Sequence, residues 1–185
     1  MFLANIPLAA TFALAASAFP NPNPIQSSST TSAAASSTST PSTGGLTITN
    51  NLNATVYLWS TSSTSTTNNM QTIASSGGTY TETWQTTSDG SGISIKMSTS
   101  QDQSDVLQFE YTIDGETLFW DLSSIDMSQD SAFVAGGFQA VPDDESCEGV
   151  TCNAGDGDCE GAYQEADDVD TLSCDAAGGI VVTLG

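Results

Sequence analysis

The residue types that could do chemistry in this chain are carboxylates. Histidine is absent from the 185 residues, and Lys96 is the only Lys or Arg. The lack of His removes the commonest general base and every Ser/His/Asp or Cys/His nucleophile arrangement. Glu110 and Asp121 lie in alternating polar and apolar runs, where two acids can share one face of a sheet. Such a pair can cleave a glycosidic bond when its carboxyl groups lie about 5–5.5 Å apart for retention, or about 6.5–9.5 Å apart for inversion.

A β-hairpin must position these two acids. Asp114 and Gly115, between two alternating runs, predict a two-residue turn, because Gly readily adopts the positive φ that such turns need. Pairing around this turn puts Gln108 opposite Asp121 and Glu110 one diagonal away, a separation that suits either glycosidase range. The other face of the hairpin carries large apolar side chains that should enter a core: Phe109, Tyr111, Leu118 and Trp120.

Alternating residues predict further strands from residue 46 to the end of the chain. The predicted strands cover residues 46–49, 55–59, 80–84, 93–97, 107–113, 117–122, 132–141 and 180–184, with Gly, Asn, Asp and Ser clusters between them. Regular short strands without a helical stretch are typical of a sandwich or a barrel. We therefore expect residues 46–185 to form one all-β domain.

The first 45 residues are expected to lie outside this domain. Residues 1–18 contain an apolar run that ends in Ala16-Ser17-Ala18, a cleavage pattern typical of a secretory signal. The run is too short to cross a bilayer, so secretion is favoured over membrane anchoring. Residues 19–45 are rich in Ser, Thr and Pro and should form a disordered stalk, either O-glycosylated or bare. The sequon at Asn53 predicts an N-linked sugar in a turn.

The charge of the chain limits its partners. The formal net charge is −21 and the sequence pI is about 4.1. Nucleic-acid backbones and anionic membrane surfaces would repel such a chain, so both classes of partner are excluded. A cation would be attracted, which means Ca²⁺, a cationic polymer such as deacetylated chitin, or a basic protein. Solubility outside the cell is the favoured explanation of the charge, ahead of a specific cation. We expect no cofactor and a monomeric protein.

Four cysteines follow the predicted export signal: Cys147, Cys152, Cys159 and Cys174. Their even number in a secreted chain predicts disulfides, and a zinc site would need all four thiolates without a C-x-x-C pair. Two bridges are expected, with three possible pairings. The cysteines lie in an acidic segment, residues 143–175, where crosslinks would offset charge repulsion.

The acidic segment also contains a weak calcium-loop pattern. Asp156, Asp158 and Glu160 stand at alternate positions, Gly161 follows at the sharp turn, and Asp167 stands where a bidentate acid would belong. The pattern departs from an EF-hand because the final acid is Asp, Cys159 lies within the loop and no flanking helices are predicted. The alternative is a solvated loop held by disulfides.

Several segments resemble the thaumatin-like proteins. Residues 46–51 and 55–59 resemble the opening strands of that family, and residues 119–126, Phe-Trp-Asp-Leu-Ser-Ser-Ile-Asp, resemble its aromatic-aspartate strand. Tyr-Leu-Trp at 57–59 and Gly-Ile-Ser-Ile-Lys at 92–96 resemble a small fungal branch, the blastoyeast-phase-specific or antigenic thaumatin-like proteins. The resemblance implies a thaumatin-like antiparallel β-sandwich, with the acidic cysteine segment as an added loop region. It covers most of residues 46–146 and the last strand.

The resemblance also implies an acidic cleft, which larger members of the family have and which some of them use to cleave β-1,3-glucan. Asp121 and Asp126 match two of the family's Asp positions, whereas the family's Glu position falls on Gln108. The family's Arg has no counterpart, and Lys96 is the nearest substitute. The family also has a disulfide whose two cysteine positions are occupied by Leu52 and Gly185 in this chain.

These observations favour a secreted, non-catalytic protein of the fungal cell surface or cell wall that binds glycan or a basic partner. One alternative is an endo-β-1,3-glucan hydrolase that uses Glu110 or another acid with Asp121 and Asp126. Another alternative is a structural module stabilised by Ca²⁺.

Overall fold

The computed structural model describes residues 44–64 and 69–185. The predicted signal at 1–18 and nearly all of the predicted stalk lie outside the described residues. The first strand begins at Gly45, one residue before the predicted start of the domain. Within the described ranges, no helix combines the length and the apolar character needed to cross a membrane.

The described residues form two β-sheets, which confirms the predicted all-β sandwich. The smaller sheet has five strands in the order β4-β1-β11-β8-β9. Its strands are β1 Gly45–Asn50, β4 Gly78–Thr83, β8 Phe138–Pro142, β9 Val150–Cys152 and β11 Ile180–Leu184. Its neighbours pair antiparallel except β1 and β11, which run parallel.

The larger sheet has six strands in the order β10-β7-β6-β5-β2-β3, all paired antiparallel. Its strands are β2 Val56–Ser62, β3 Gln71–Ile73, β5 Ile93–Ser98, β6 Leu107–Asp114, β7 Thr117–Ser123 and β10 Leu172–Asp175. Each sheet directs one set of alternate residues toward the other sheet, and these residues form the core.

The prediction for residues 132–141 was wrong in its first half, because the short helix α1 occupies Ala132–Gly136 and only the second half is strand β8. The Ser131 side chain begins the helix by accepting a hydrogen bond from the Phe133 backbone N–H at 3.2 Å. The helix buries Phe133 and Val134, which a continuous strand would place on opposite faces.

The acidic segment is more regular than a loop. It supplies β9 to the edge of the smaller sheet and β10 to the edge of the larger sheet. Disulfides join Cys147 to Cys174 and Cys152 to Cys159, which selects one of the three pairings that the sequence left open. Each disulfide is expected to stabilise the fold by about 2–4 kcal/mol by restricting the unfolded chain.

Aromatic side chains fill the space between the sheets. The Phe109 and Trp120 rings are stacked, with their centroids 5.7 Å apart. The Trp84 and Tyr111 rings are tilted relative to each other, with their centroids 4.9 Å apart. The Trp84 indole N–H donates to the Gly178 carbonyl at 2.9 Å, so its polar edge is satisfied.

A carboxylate joins the two sheets through tyrosines. Glu82 in β4 accepts hydrogen bonds from the hydroxyls of Tyr80 in β4 at 2.7 Å and of Tyr111 in β6 at 2.8 Å. Burial, followed by the charge and hydrogen bonding of Glu82, raises the pKa of Tyr111, so its hydroxyl remains a donor at neutral pH. This arrangement ties the smaller sheet to the larger one by a hydrogen bond to a charged group.

We expect Tyr111→Phe to destabilise the protein by about 1.5–3 kcal/mol, the usual worth of a partly buried hydrogen bond to a charged group. Tyr163→Phe is the matched control, since the Tyr163 hydroxyl lies 2.8 Å from the Thr171 hydroxyl at an exposed position. Urea unfolding with the disulfides intact measures both changes. Equal losses of stability in the two variants would contradict the role given to the Glu82 bond.

Candidate functional site

A cleft of about 620 Å³ lies on the outer face of the larger sheet, away from the core. Its floor is formed by outward-facing residues of β2, β5, β6 and β7, and nearly all of these residues are polar. The lining includes Thr61, Ser94, Lys96, Gln108, Glu110, Thr112, Phe119, Asp121 and Thr171. Three of the four candidates from the sequence, Lys96, Glu110 and Asp121, therefore share this cleft.

The hairpin register differs from the predicted one. The turn consists of Gly115 and Glu116, with Gly115 at a φ of 64°, so the centre of the turn lies one residue later than expected. Asp121 therefore pairs directly with Glu110 and not with Gln108, which pairs with Ser123. The error shifts the partner strand by two residues, which keeps every side chain on its predicted face.

The direct pairing produces a row of polar side chains across four strands. Asp121 of β7 pairs with Glu110 of β6, which pairs with Ser94 of β5, which pairs with Thr61 of β2. The Thr61 hydroxyl donates to the Ser94 carbonyl at 3.0 Å, and the Ser94 hydroxyl donates to Gln108 Oε1 at 3.2 Å. Neighbouring strands lie about 4.8 Å apart, so the row presents closely spaced donors and acceptors to the cleft.

A third carboxylate reaches this row from the acidic segment. Strand β10 pairs with β7 so that Leu172 lies opposite Trp120, which places Thr171 next to Asp121. Asp170, the preceding residue, lies close enough for its charge to act on Asp121. Burial raises the pKa of Asp121 to about 7, with smaller contributions from the negative charges of Glu110 and Asp170. Asp121 is therefore partly protonated at neutral pH and can donate as well as accept a hydrogen bond.

An exposed aromatic ring completes the cleft. Phe119 lies on the same face of β7 as Asp121 and is 42% exposed. Ser173 of β10 and Thr112 of β6 pair with Phe119 on its two sides. The exposed Phe119 ring is thus surrounded by polar side chains, and it can stack against an apolar face of a ligand.

The remaining candidates lie elsewhere. Asp126 is exposed on the turn after β7, outside the cleft lining, and its backbone carbonyl accepts from Val106 N–H at 2.9 Å. The potential calcium ligands Asp156, Asp158, Glu160 and Asp167 are not gathered, because no cluster of three or more acidic, His or Cys side chains in 44–64 and 69–185 is placed to hold a metal.

Two further expectations concern positions away from the cleft. Asn53 is exposed in the turn between β1 and β2, which makes the sequon accessible, and its glycosylation stays a prediction. A side chain added at Gly185 would lie 2.9 Å from Leu52 Cδ2. The two positions where the resemblance implied a missing disulfide are therefore neighbours, and the buried Leu52 side chain fills the space there.

The sequence matches a known protein family. The profile of the family described as Bys1, Blastomyces yeast-phase-specific protein, matches residues 33–185. The chain belongs to the Bys1 family. This match includes the acidic cysteine segment, which the resemblance in the sequence had left out.

Two relatives of the chain are fungal thaumatin-like proteins. The secreted thaumatin-like protein calA of Emericella nidulans is 49% identical over 143 residues, covering 77% of this chain and 82% of that protein. The antigenic thaumatin-like protein of Arthroderma benhamiae is 40% identical over 120 residues, covering 64% of this chain and 59% of that protein. The Bys1-family chain is thus a secreted, extracellular fungal thaumatin-like protein.

Two solved structures show the same fold. The protein elicitor MoHrip2 from Magnaporthe oryzae superposes with a TM-score of 0.63 at 21% identity, covering 76% of this chain and 98% of that one. The thaumatin-like xylanase inhibitor TLXI superposes with a TM-score of 0.50 at 12% identity, covering 75% of this chain and 97% of that one. At these identities, the similarity shows the fold alone.

The raised pKa of Asp121 has a measurable effect on the stability of this Bys1-family protein. The folded state holds a proton that the unfolded state releases near pH 4, so this contribution to stability is lost as pH rises from about 4 to about 7. We expect the free energy of unfolding of Asp121→Asn, relative to that of wild type, to increase by about 1–3 kcal/mol between pH 4 and pH 8. This range allows for solvent screening of the carboxyl group.

Denaturant unfolding of both proteins at a series of pH values measures this difference. Asp126→Asn is the matched control, because Asp126 is exposed outside the cleft. Parallel stability curves for wild type and Asp121→Asn would contradict the raised pKa.

Proposed function

We propose that this protein is a non-catalytic extracellular glycan-binding protein whose cleft holds a polysaccharide chain at the fungal cell surface. The observation that carries the proposal is an exposed ring, Phe119, on the same floor as the in-line polar row from Asp121 to Thr61. Sugar rings have apolar C–H faces and hydroxyl edges, which are complementary to such a combination.

The groups in the cleft suit hydroxyl ligands. The Ser94 and Thr61 hydroxyls donate their single protons within the sheet and can accept from a ligand. The Gln108 amide nitrogen can donate, and a partly protonated Asp121 can donate and accept. Carbohydrate hydroxyls also donate and accept, so each can be matched without leaving a buried group unsatisfied. An extended polar surface with one aromatic platform therefore favours a glycan over an apolar small molecule.

The negative charge near the cleft limits which glycans can bind there. Glu110, Asp121 and Asp170 lie together near the cleft, in a chain with a formal net charge of −21. Like-charge repulsion opposes anionic polysaccharides, whereas neutral chains and amino-sugar chains carrying positive charge are compatible. A basic protein partner would be attracted by the same field, although it would not need Phe119.

Replacement of the aromatic platform tests the proposal. We expect Phe119→Ala to lower the affinity for soluble β-1,3-glucan oligosaccharides or chitosan oligomers by about 3- to 10-fold, the usual worth of an aromatic contact. Phe119→Tyr should retain most of the affinity, and Ile125→Ala, another exposed apolar position, is the control. Titration calorimetry measures the affinity of each protein for each probe. Binding of neither probe, or equal affinities of wild type and Phe119→Ala, would overturn the proposal.

Hydrolysis of β-1,3-glucan is a second candidate, and the direct pairing of Glu110 with Asp121 favours it. Directly paired residues on neighbouring antiparallel strands have Cβ atoms about 4.5–5.5 Å apart, which suits the carboxyl separation of a retaining glycosidase. Asp121, with a pKa of about 7, would be the general acid, and Glu110 would be the nucleophile.

Reducing-sugar release from laminarin tests this second candidate. If the pair is catalytic, Asp121→Asn and Glu110→Gln should each lower the rate at least 100-fold, whereas Asp126→Asn, outside the cleft, should leave it unchanged. Absence of turnover by wild type, or equal rates in all three variants, would exclude this pair as the catalytic residues.

A further inference from the structure

The outer face of the smaller sheet, on the opposite side of the sandwich from the cleft, is composed mainly of threonine. We call this surface the threonine face. Its outward-pointing residues are Thr79, Thr81 and Thr83 of β4, Gly45, Thr47 and Thr49 of β1, Val181 and Thr183 of β11, Gln139 and Val141 of β8, and Thr151 of β9. The alternation of buried and more exposed residues along all five strands fixes this assignment.

The threonine face is ordered in two dimensions. One row across the strands runs through Thr79, Thr49, Thr183, Gln139 and Thr151, each paired in register with the next. The spacing across the strands is about 4.8 Å, and the spacing along a strand between outward residues is about 6.7 Å. The threonine hydroxyls therefore form a repeating array of donors and acceptors.

A second row lies beside the first and has an apolar half. Thr81 pairs with Thr47, Thr47 with Val181, and Val181 with Val141. Val181 and Val141 are 36% and 46% exposed, respectively. The face thus combines hydroxyl groups with a small exposed apolar strip, which matches the mixed C–H and hydroxyl surface of a polysaccharide.

The threonine face carries no charge, although the chain has 22 acidic residues. The only charged residue in the five strands is Glu82, whose carboxylate accepts from Tyr111 of the opposite sheet on the inner side. A neutral surface can approach this face without the cost of desolvating a charge. A cationic partner finds no carboxylate within these rows, and Asp143, the residue after β8, lies at their margin, where it lines a depression with Thr47 and Thr81. The cleft, with Glu110, Asp121 and the nearby Asp170, attracts a cation more strongly.

We propose that the threonine face adsorbs the protein to an ordered, neutral, insoluble polysaccharide surface. A repeating array of weak hydrogen bonds suits a ligand that itself repeats, because many small contributions add over a large contact. The cleft lies on the other sheet and points away from the threonine face, so an adsorbed molecule would still present its cleft to solvent. This inference does not depend on the function proposed for the cleft.

The test is depletion of the protein from solution by particles of insoluble β-1,3-glucan. All proteins carry Phe119→Ala, so that binding in the cleft is weakened to the same extent in each of them. We expect Thr49→Glu/Thr183→Glu to lower the partition onto the particles at least tenfold, because two carboxylates in the centre of the array must lose water on contact. Ile125→Glu/Val169→Glu adds the same charge at exposed positions elsewhere and should partition like its parent.

A second variant guards against misfolding. Thr81→Glu/Thr151→Glu changes exposed residues of the two edge strands, β4 and β9, where charged side chains are well tolerated. It should keep the parental melting temperature and also lower the partition several-fold. Unchanged partition in this variant, or no partition by the parent, would overturn the proposal. A parental dimer that the substitutions dissociate would also overturn it, because the face would then bind a second copy.

Discussion

The burial of alternate residues along β6 and β7 is the constraint on which the site depends. Phe109, Tyr111 and Trp120 each have at most 2% of their surface exposed between the sheets. Because successive residues of a strand point to opposite faces, the burial of these rings directs Glu110 and Asp121 to the outer face. The free energy that holds the two carboxylates together therefore comes from the apolar side of the same strands, and the carboxylates need no attraction of their own.

The acidic segment has a structural and an electrostatic role. Its two strands extend the sheets, and Leu172 pairs with the buried Trp120, so the segment covers part of the core. The Cys147–Cys174 disulfide fixes the end of β10, and this strand brings Asp170 toward Asp121. A highly acidic chain thus holds one more negative charge beside a half-buried carboxyl group, and this charge adds to the larger effect of burial in raising the pKa of that carboxyl.

The sequence predicted the fold and the faces of the strands better than it predicted their pairing. Alternation alone placed Glu110 and Asp121 on one face, and this result does not change when a register shifts by two residues. The choice between Asp114-Gly115 and Gly115-Glu116 as the turn decided whether Gln108 or Glu110 faces Asp121, and the turn composition suited both. Helix α1 escaped the prediction because its five residues are too few to show a helical period.

The positions of Asp170 and of the threonine face could be found only from the structure. Asp170 is one acid among many in its segment, and its position depends on the pairing of a four-residue strand and on a disulfide that composition does not assign. The predicted strand at 46–49 contains Thr47 and Thr49, but the neighbouring threonines come from strands far apart in sequence, and only the strand order brings them into rows.

Chemical-shift mapping by NMR tests the central claim most directly. Addition of a soluble β-1,3-glucan oligosaccharide to the isotopically labelled protein should shift the amide signals of Ser94, Glu110, Phe119 and Asp121, while the amides of the threonine face remain in place. A set of shifted signals confined to the acidic loops, or spread over the smaller sheet, would contradict the account that the outer face of the larger sheet is the binding site.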